Sequence, residues 1–200
     1  MSKLLAFGAS SSKNSRNKRL AYYVARRMAP KEANLIDLNE FEMPIYSEDR
    51  EFEIGIPDEA YKFKKLVNES LGIIISLAEH NGSYTAAFKN IYDWVSVIEE
   101  TVWSNKPLIL LSTSDGKNAG NIVMQSALSR FSRQSKFEIP HFSLPKFNDN
   151  FSDKDGIIEP KLLYELDKQI KVFNSQVDEL LSASNNSVSY THLTLPTIFR

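Results

Sequence analysis

The sequence predicts an α/β fold: a doubly wound, five-stranded parallel sheet with helices on both faces. Three observations carry this. Short apolar runs alternate five times with segments whose apolar residues recur at helical spacing. The runs break at Gly or small polar residues, as strand ends do. One of them, Ile73-Ile74-Ile75, places three isoleucines in succession, which cannot alternate between core and water and so demand cover on both faces.

Taken in order, residues 4–7 form an apolar run that breaks at Gly8 and reads as the first strand. From Lys18 onward Leu20, Tyr23, Val24, Arg27 and Met28 mark a helix that Pro30 stops. Residues 34–38 are the second strand, and 41–58, with Pro44, Gly55 and Pro57, are expected to be the longest irregular connection. Residues 59–68 read as a helix with Tyr61, Phe63, Leu66 and Val67 at its apolar positions. A strand at 72–77, a turn at 78–83 and a helix over about 85–97 follow. The buried-strand signal repeats at 107–112, then a small polar turn at 113–120 leads into a helix over 121–131. A weaker strand is expected near 137–142. The last helix carries the clearest stripe: Leu163, Leu166, Ile170, Phe173, Val177 and Leu180. Parallel neighbours need a helical crossover between them, and five such strands most simply give a sheet of flavodoxin-like order.

Composition narrows the function classes. Two hundred residues suit one domain. Lys+Arg 24 against Asp+Glu 25 gives a net charge of -1, which excludes a strongly basic nucleic-acid binder and an acidic disordered chain as whole-chain readings. With no cysteine there is no disulfide framework, thiolate zinc site, iron–sulfur cluster or cysteine nucleophile. The histidines, at 80, 141 and 192, show no ligand spacing, so no metal is expected. The apolar start is too short for a secretory core, and no window approaches the ~18 apolar residues of a membrane span. The expectation is a soluble cytoplasmic protein.

The domain is expected to occupy residues 1–184. Residues 185–200 depart from the pattern, with Pro196 in a β-branched stretch, and the run from Val188 to Thr197 resembles translated adapter sequence. They are read as a non-native or disordered tail, and His192 is excluded from any site.

In an open parallel sheet, ligands bind beyond the carboxyl ends of the strands at the topological switch point. The loops after the first, third and fourth strands are therefore the places to inspect, and all three are rich in small polar residues. The first offers Ser10, Ser11, Ser12 and Ser15, the amide of Asn17, and charges at Lys13 and Arg16, and it runs straight into a helix amino terminus. Free N–H groups and the positive end of the helix dipole favour an anion there, usually phosphate. A lone Ser15 or Asn17 would read more simply as an N-cap, but the cluster exceeds what one cap needs. No P-loop pattern is present, and Gly8 lacks the glycines of a dinucleotide fingerprint. A serine loop around a terminal monophosphate remains, and flavin mononucleotide (FMN) could be held this way.

The second loop, residues 78–83, presents backbone donors and acceptors of the kind a flavin ring needs, and Gly82 permits close approach. His80 and Glu79 are equally readable as solvated surface residues, and neither is assigned as an acid–base catalyst. No catalytic side chain is expected, since the protein's part would be positioning and electrostatic tuning. The third loop, residues 112–120, gives a second wall, although Asp115-Gly116 is also a plain turn signal. Trp94, Trp103 and Tyr92 could cover an aromatic cofactor, or serve as core or subunit-contact residues.

With these loops in place, the chain resembles the NAD(P)H-dependent FMN reductase family of flavodoxin-like flavoproteins, which includes quinone and azo reductases. The resemblance rests on residues 8–17, on Met43-Pro44-Ile45-Tyr46-Ser47-Glu48-Asp49, on Glu79-His80-Asn81-Gly82-Ser83, on Phe88-Lys89-Asn90-Ile91-Tyr92-Asp93-Trp94 and on residues 112–116. It implies that Ser10, Ser12, Ser15 and Asn17 hold the FMN phosphate. Ala78, Glu79, His80, Asn81 and Gly82 would line the ring, with Ser112, Ser114 and Gly116 at its other edge. The family often has Pro at Ala78, Tyr at His80 and Arg at Ser12; Lys13 would then supply that last charge. Relatives are typically homodimers, which makes the helix over 85–97 and the aromatic segment to Trp103 the expected interface. The activity implied is an oxidoreductase in which NADPH or NADH passes a hydride to the flavin, and free flavin, a quinone or an azo compound takes the electrons. A non-enzymatic flavodoxin-type electron carrier is the alternative, modestly disfavoured by the near-neutral charge. A regulatory protein that binds another phosphorylated ligand in the same loops is a third reading.

Overall fold

A computed structural model describes residues 3–28 and 32–191, with side chains through residue 183. The elements are β1 (Leu4–Ala9), α1 (Arg16–Arg27), β2 (Ala33–Leu35), α2 (Glu48–Ile54), α3 (Asp58–Glu69), β3 (Ile73–Leu77), β4 (Glu79–His80), β5 (Ser83–Tyr84) and α4 (Ala86–Ile98). They continue with β6 (Leu108–Thr113), α5 (Asn121–Phe131), β7 (His141–Leu144), α6 (Phe147–Asn150), β8 (Phe151–Ser152), β9 (Gly156–Ile157) and α7 (Pro160–Thr191). The five-stranded sheet has order β2-β1-β3-β6-β7, and every pairing in it is parallel. This is the flavodoxin-like order expected from the alternation of apolar runs.

Period two along the strands builds a separate core on each face. Leu5 and Phe7 of β1, Ile73 and Ile75 of β3, and Leu108 and Leu110 of β6 pack with α3, α4 and α5 through Phe63, Phe88, Trp94 and Phe131. The residues between them, Leu4, Ala6, Ile74, Ile109 and Leu111, pack on the other face against Leu20 and Val24 of α1 and Leu166, Phe173 and Val177 of α7. The isoleucine run is buried throughout, as its composition demanded.

Four segments differ from expectation, each for a local reason. The second strand ends at Leu35 because Asp37 caps a 3-10 turn, Leu38–Phe41, accepting from the Asn39 N–H at 3.1 Å. The connection at 41–58 contains α2, capped by Ser47 and closed by Gly55 at φ 71. Residues 79–84 are a two-residue hairpin turning at Asn81 (φ 52) and Gly82 (φ 72), the left-handed pair of a type I′ turn. The last strand begins at His141, after Pro140, whose carbonyl still accepts from the Leu110 N–H at 3.0 Å. The backbone of α7 is helical to Thr191, past residue 184, while Pro30 and residues 192–200, His192 among them, lie outside the described residues.

The strand order reverses between β1 and β3. The connections leaving their carboxyl ends diverge, opening a crevice at the rim of the sheet.

Candidate active site

The first wall of that crevice is set by a close approach. A Cβ on Gly8 would lie 2.3 Å from the Lys18 amide nitrogen, so glycine lets the end of β1 run directly under the first turn of α1. Ser15 caps this helix, its Oγ accepting from the Lys18 N–H at 3.2 Å. Ser10 Oγ accepts from the Ser12 N–H at 3.2 Å and folds the loop back on itself. Among the described residues, the N–H groups of Arg16 and Asn17, the first two of the helix, have no partner in the fold. Ser12 is exposed and its hydroxyl makes no bond among the described residues.

The second wall is the β4–β5 hairpin. Glu79 does more than sit at its surface: its Oε2 accepts from the Val123 N–H at 2.9 Å, capping α5 and fixing the hairpin's angle to the sheet. His80 is exposed beside it. The third wall is the turn after β6, where Ser114 Oγ accepts from the Gly116 N–H at 3.3 Å.

These walls enclose a cleft of about 300 Å³ lined by Ser10, Ser12, Asn14, Ser15, Arg16 and Asn17 from the first loop, Ala78, Glu79 and His80 from the second, and Thr113, Ser114 and Asp115 from the third. Lys13, Asn81, Gly82, Ser112 and Gly116 do not line it. Ser112 is fully buried within β6, where its Oγ donates to the Ala119 carbonyl at 2.7 Å and lies 2.8 Å from Ser143 Oγ. Asn17 lines the cleft, but its side-chain amide is spent inside the fold. Its Oδ1 accepts from Ser76 Oγ (2.8 Å) and the Thr113 N–H (3.1 Å), and its Nδ2 donates to the Thr113 carbonyl at 3.2 Å. Its first duty is to tie α1 to β3 and β6.

Three cations crowd the first turn of α1, which holds no acidic residue. Lys18 pairs with Asp37 at 2.5 Å, Arg19 with Asp153 at 2.8 Å, and Arg16 with Asp115 across the mouth of the cleft. Burial pushes the Asp37 carboxyl up, but its hydrogen bonds to Lys18 and Asn39 outweigh burial and hold it below the usual carboxylate range.

The aromatic residues belong elsewhere. Trp94, Tyr92 and Trp103 are all buried: Tyr92 and Trp103 pack against Phe88 and Phe131, Trp94 meets Tyr46 edge-on, and none of the three lines the cleft. The 43–46 and 88–94 segments form a structural lock: Asn90 donates to the carbonyls of Met43 (3.1 Å) and Pro44 (3.0 Å), and Trp94 Nε1 donates to Pro44 at 2.7 Å. A second hollow of about 390 Å³ lies beyond Ser11, between Leu38, Phe41, Met43 and the start of α4. Among the described residues no His, Asp and Glu cluster has the makings of a metal site, and no helix is long and apolar enough to cross a membrane.

The model of the family described as NADPH-dependent FMN reductase matches residues 2–149. The chain is 32% identical over 117 residues to 2-hydroxy-1,4-benzoquinone reductase of a Burkholderia species, covering 58% of this chain and 62% of that protein. It is 32% identical over 110 residues to a quinone reductase of Pseudomonas putida, covering 54% and 58%. It therefore matches less than two thirds of the length of either relative. Among solved structures, the fold is similar to FerB, a flavoenzyme NAD(P)H:(acceptor) oxidoreductase from Paracoccus denitrificans, with TM-score 0.69, 18% identity, and coverage of 90% of this chain and 98% of that one. It is also similar to the apo form of an NADH:FMN oxidoreductase, with TM-score 0.66, 17% identity, and coverage of 86% and 88%.

Proposed function

Since this chain belongs to the NADPH-dependent FMN reductase family, whose model covers residues 2–149, we propose that it is an FMN-holding oxidoreductase. It takes a hydride from NADPH or NADH and delivers electrons to a small acceptor: free flavin, a quinone or an azo compound. The observation that carries this is the cleft at the switch point, where the Ser10, Ser12 and Ser15 hydroxyls and the unpaired N–H groups of Arg16 and Asn17 converge.

That donor set fits a phosphate monoester. The hydroxyls and N–H groups donate to its oxygens, and the helix dipole stabilises its charge. Ala78, Glu79 and His80 on one side, with Thr113 and Ser114 on the other, would flank the rest of the cofactor. Lys13, Asn81, Gly82 and Gly116, outside the cleft, would meet only its extremities. When bound, FMN supplies the redox-active ring that the side chains lack. The protein's own work is to fix that group: Glu79 holds the hairpin against α5, and Asn17 holds the helix start against the sheet, so neither wall needs to reorganise.

The reading extends to a cytoplasmic homodimer, since reduced nicotinamide coenzymes are found inside cells and α2 leaves apolar surface uncovered. No residue of α2 is buried; Phe52 is 94% exposed, and Ile54 at the end of the helix and Ile45 just before its cap are exposed as well. Residues 1–184 carry the function and 185–200 take no part in it.

Titration of the purified protein with FMN, followed by NADPH and NADH oxidation over a panel of flavin, quinone and azo acceptors, tests the proposal. Saturable FMN binding with turnover on at least one acceptor is expected. Flavin binding without turnover on any acceptor would turn the reading to an electron carrier, and no flavin binding would overturn it.

A further inference from the structure

We propose that Arg16 is the cation that meets the cofactor's phosphate, and that Asp115 is an exchangeable partner holding Arg16 at the cleft mouth until the phosphate takes its place. This rests on the FMN reading of the same cleft and assigns the charge that gives it specificity for the phosphorylated cofactor.

The starting point is an electrostatic conflict. Cations are disfavoured in the first turn of a helix, where the dipole end is positive, yet the turn opening at Arg16 carries three and no acid. Two of them are settled within the fold. The Lys18 and Asp37 side chains are only 17% and 28% exposed, and Asp37 is further tied to Asn39. Arg19 pairs with Asp153 while its guanidinium lies 4.9 Å from the Phe147 ring centroid and 5.4 Å from that of Phe151.

Arg16 has neither the burial of Lys18 nor, among the described residues, the ring contacts of Arg19, whose pair with Asp153 is itself open to water at 38% and 79%. The ion pair of Arg16 with Asp115 joins the first loop to the third, both residues line the cleft, and their side chains are 45% and 47% exposed. An ion pair so open to water is weakly held. A phosphate dianion at Ser12 and Ser15 carries more charge than a carboxylate and offers the guanidinium two oxygens at once. Arg16 therefore has a better partner within reach of its own loop, and Asp115 is released to solvent when that partner arrives. Asp115 opposes binding twice, as a negative charge beside the phosphate and as a competitor for Arg16.

A double-mutant cycle on FMN affinity separates the two effects, with riboflavin as the phosphate-free probe, each titrated by flavin fluorescence. Arg16→Gln weakens FMN binding roughly tenfold, Arg16→Lys restores part of it, and neither changes riboflavin affinity. Asp115→Asn tightens FMN binding about threefold, and most of that gain vanishes in the Arg16→Gln background. Equal FMN affinity in wild type and Arg16→Gln overturns the assignment. An Asp115→Asn gain that is just as large without Arg16 overturns the exchange, because simple repulsion would then account for it. Wild-type protein that binds riboflavin and FMN alike overturns this inference but not the flavin reading, whereas protein that binds neither overturns both.

Discussion

Asn17 and Ser12 sit five residues apart in one polar loop, yet the structure gives them opposite work. Asn17 is 5% exposed and makes three hydrogen bonds to Ser76 and Thr113, so Asn17→Ala leaves buried groups of two strands without partners. Urea unfolding is expected to show a loss of about 2 kcal/mol or more. Ser12 makes no bond through its hydroxyl among the described residues, so Ser12→Ala keeps its stability and loses roughly threefold to tenfold in FMN affinity. The sequence placed both in the right loop, and the serines of the cleft were legible as a helix start preceded by excess hydroxyls. What it could not place was the direction of Asn17, whose partners lie 59 and 96 residues away. Ser112 went astray by the same physics. β6 continues to Thr113, so Ser112 lies inside a strand covered on both faces, and its hydroxyl is spent on the Ala119 carbonyl and on Ser143, which is 31 residues away. Lys64 gave no local signal at all. It is buried, donates to the Thr101 and Val102 carbonyls at 3.0 Å each, and pairs with Glu99 at 2.8 Å, pinning the 99–106 connection to α3.

At the scale of elements, a segment showed itself in the sequence when it buried a face. The strands β1, β3 and β6 and the helices α4 and α5 stood within a residue or two of their expected bounds, because core contact imposes the periodicity that marks them. α2 buries nothing and so carries no stripe, although its caps, Ser47 and Gly55, were there to be read. The hairpin's two-residue strands are too short to show alternation, and only its Asn-Gly turn announces it. Its link to α5 is the more consequential feature. Glu79→Ala removes the carboxylate that caps α5 at Val123, so it is expected to lower stability by about 1 kcal/mol in thermal unfolding. The same variant loosens one wall of the cleft, and FMN affinity falls with it. Glu79→Gln keeps an acceptor at the same reach and loses less of both. A hairpin standing without Glu79 would show equal FMN affinity in all three proteins.

For the whole molecule, pH acts through a few groups whose folded environment differs from water, and they bound the stable range from opposite sides. Glu99 is held below the usual carboxylate range by its hydrogen bonds to Lys64 and Thr101. The folded state thus favours its ionised form. The stability it contributes is complete above the ordinary Glu value of about 4.3 and is lost as pH falls through the depressed folded value. At the other end, burial pushes the Tyr84 phenol from 10.0 up to about 12. Between those values the unfolded chain has released a proton that the folded chain still holds, so stability declines as pH rises across that window. The Tyr84 hydroxyl has no hydrogen-bond partner among the described residues, while its ring packs on Phe88 and Phe131. Tyr84→Phe therefore removes an uncompensated polar atom and leaves the ring contacts standing. Urea unfolding near neutral pH should find this variant as stable as wild type or slightly more so. Repeated at rising alkaline pH, it should show a shallower decline than wild type. A variant that is less stable at neutral pH would mean that the hydroxyl is bonded in solution and that the wall behind the hairpin is wetter than the packing of its rings implies.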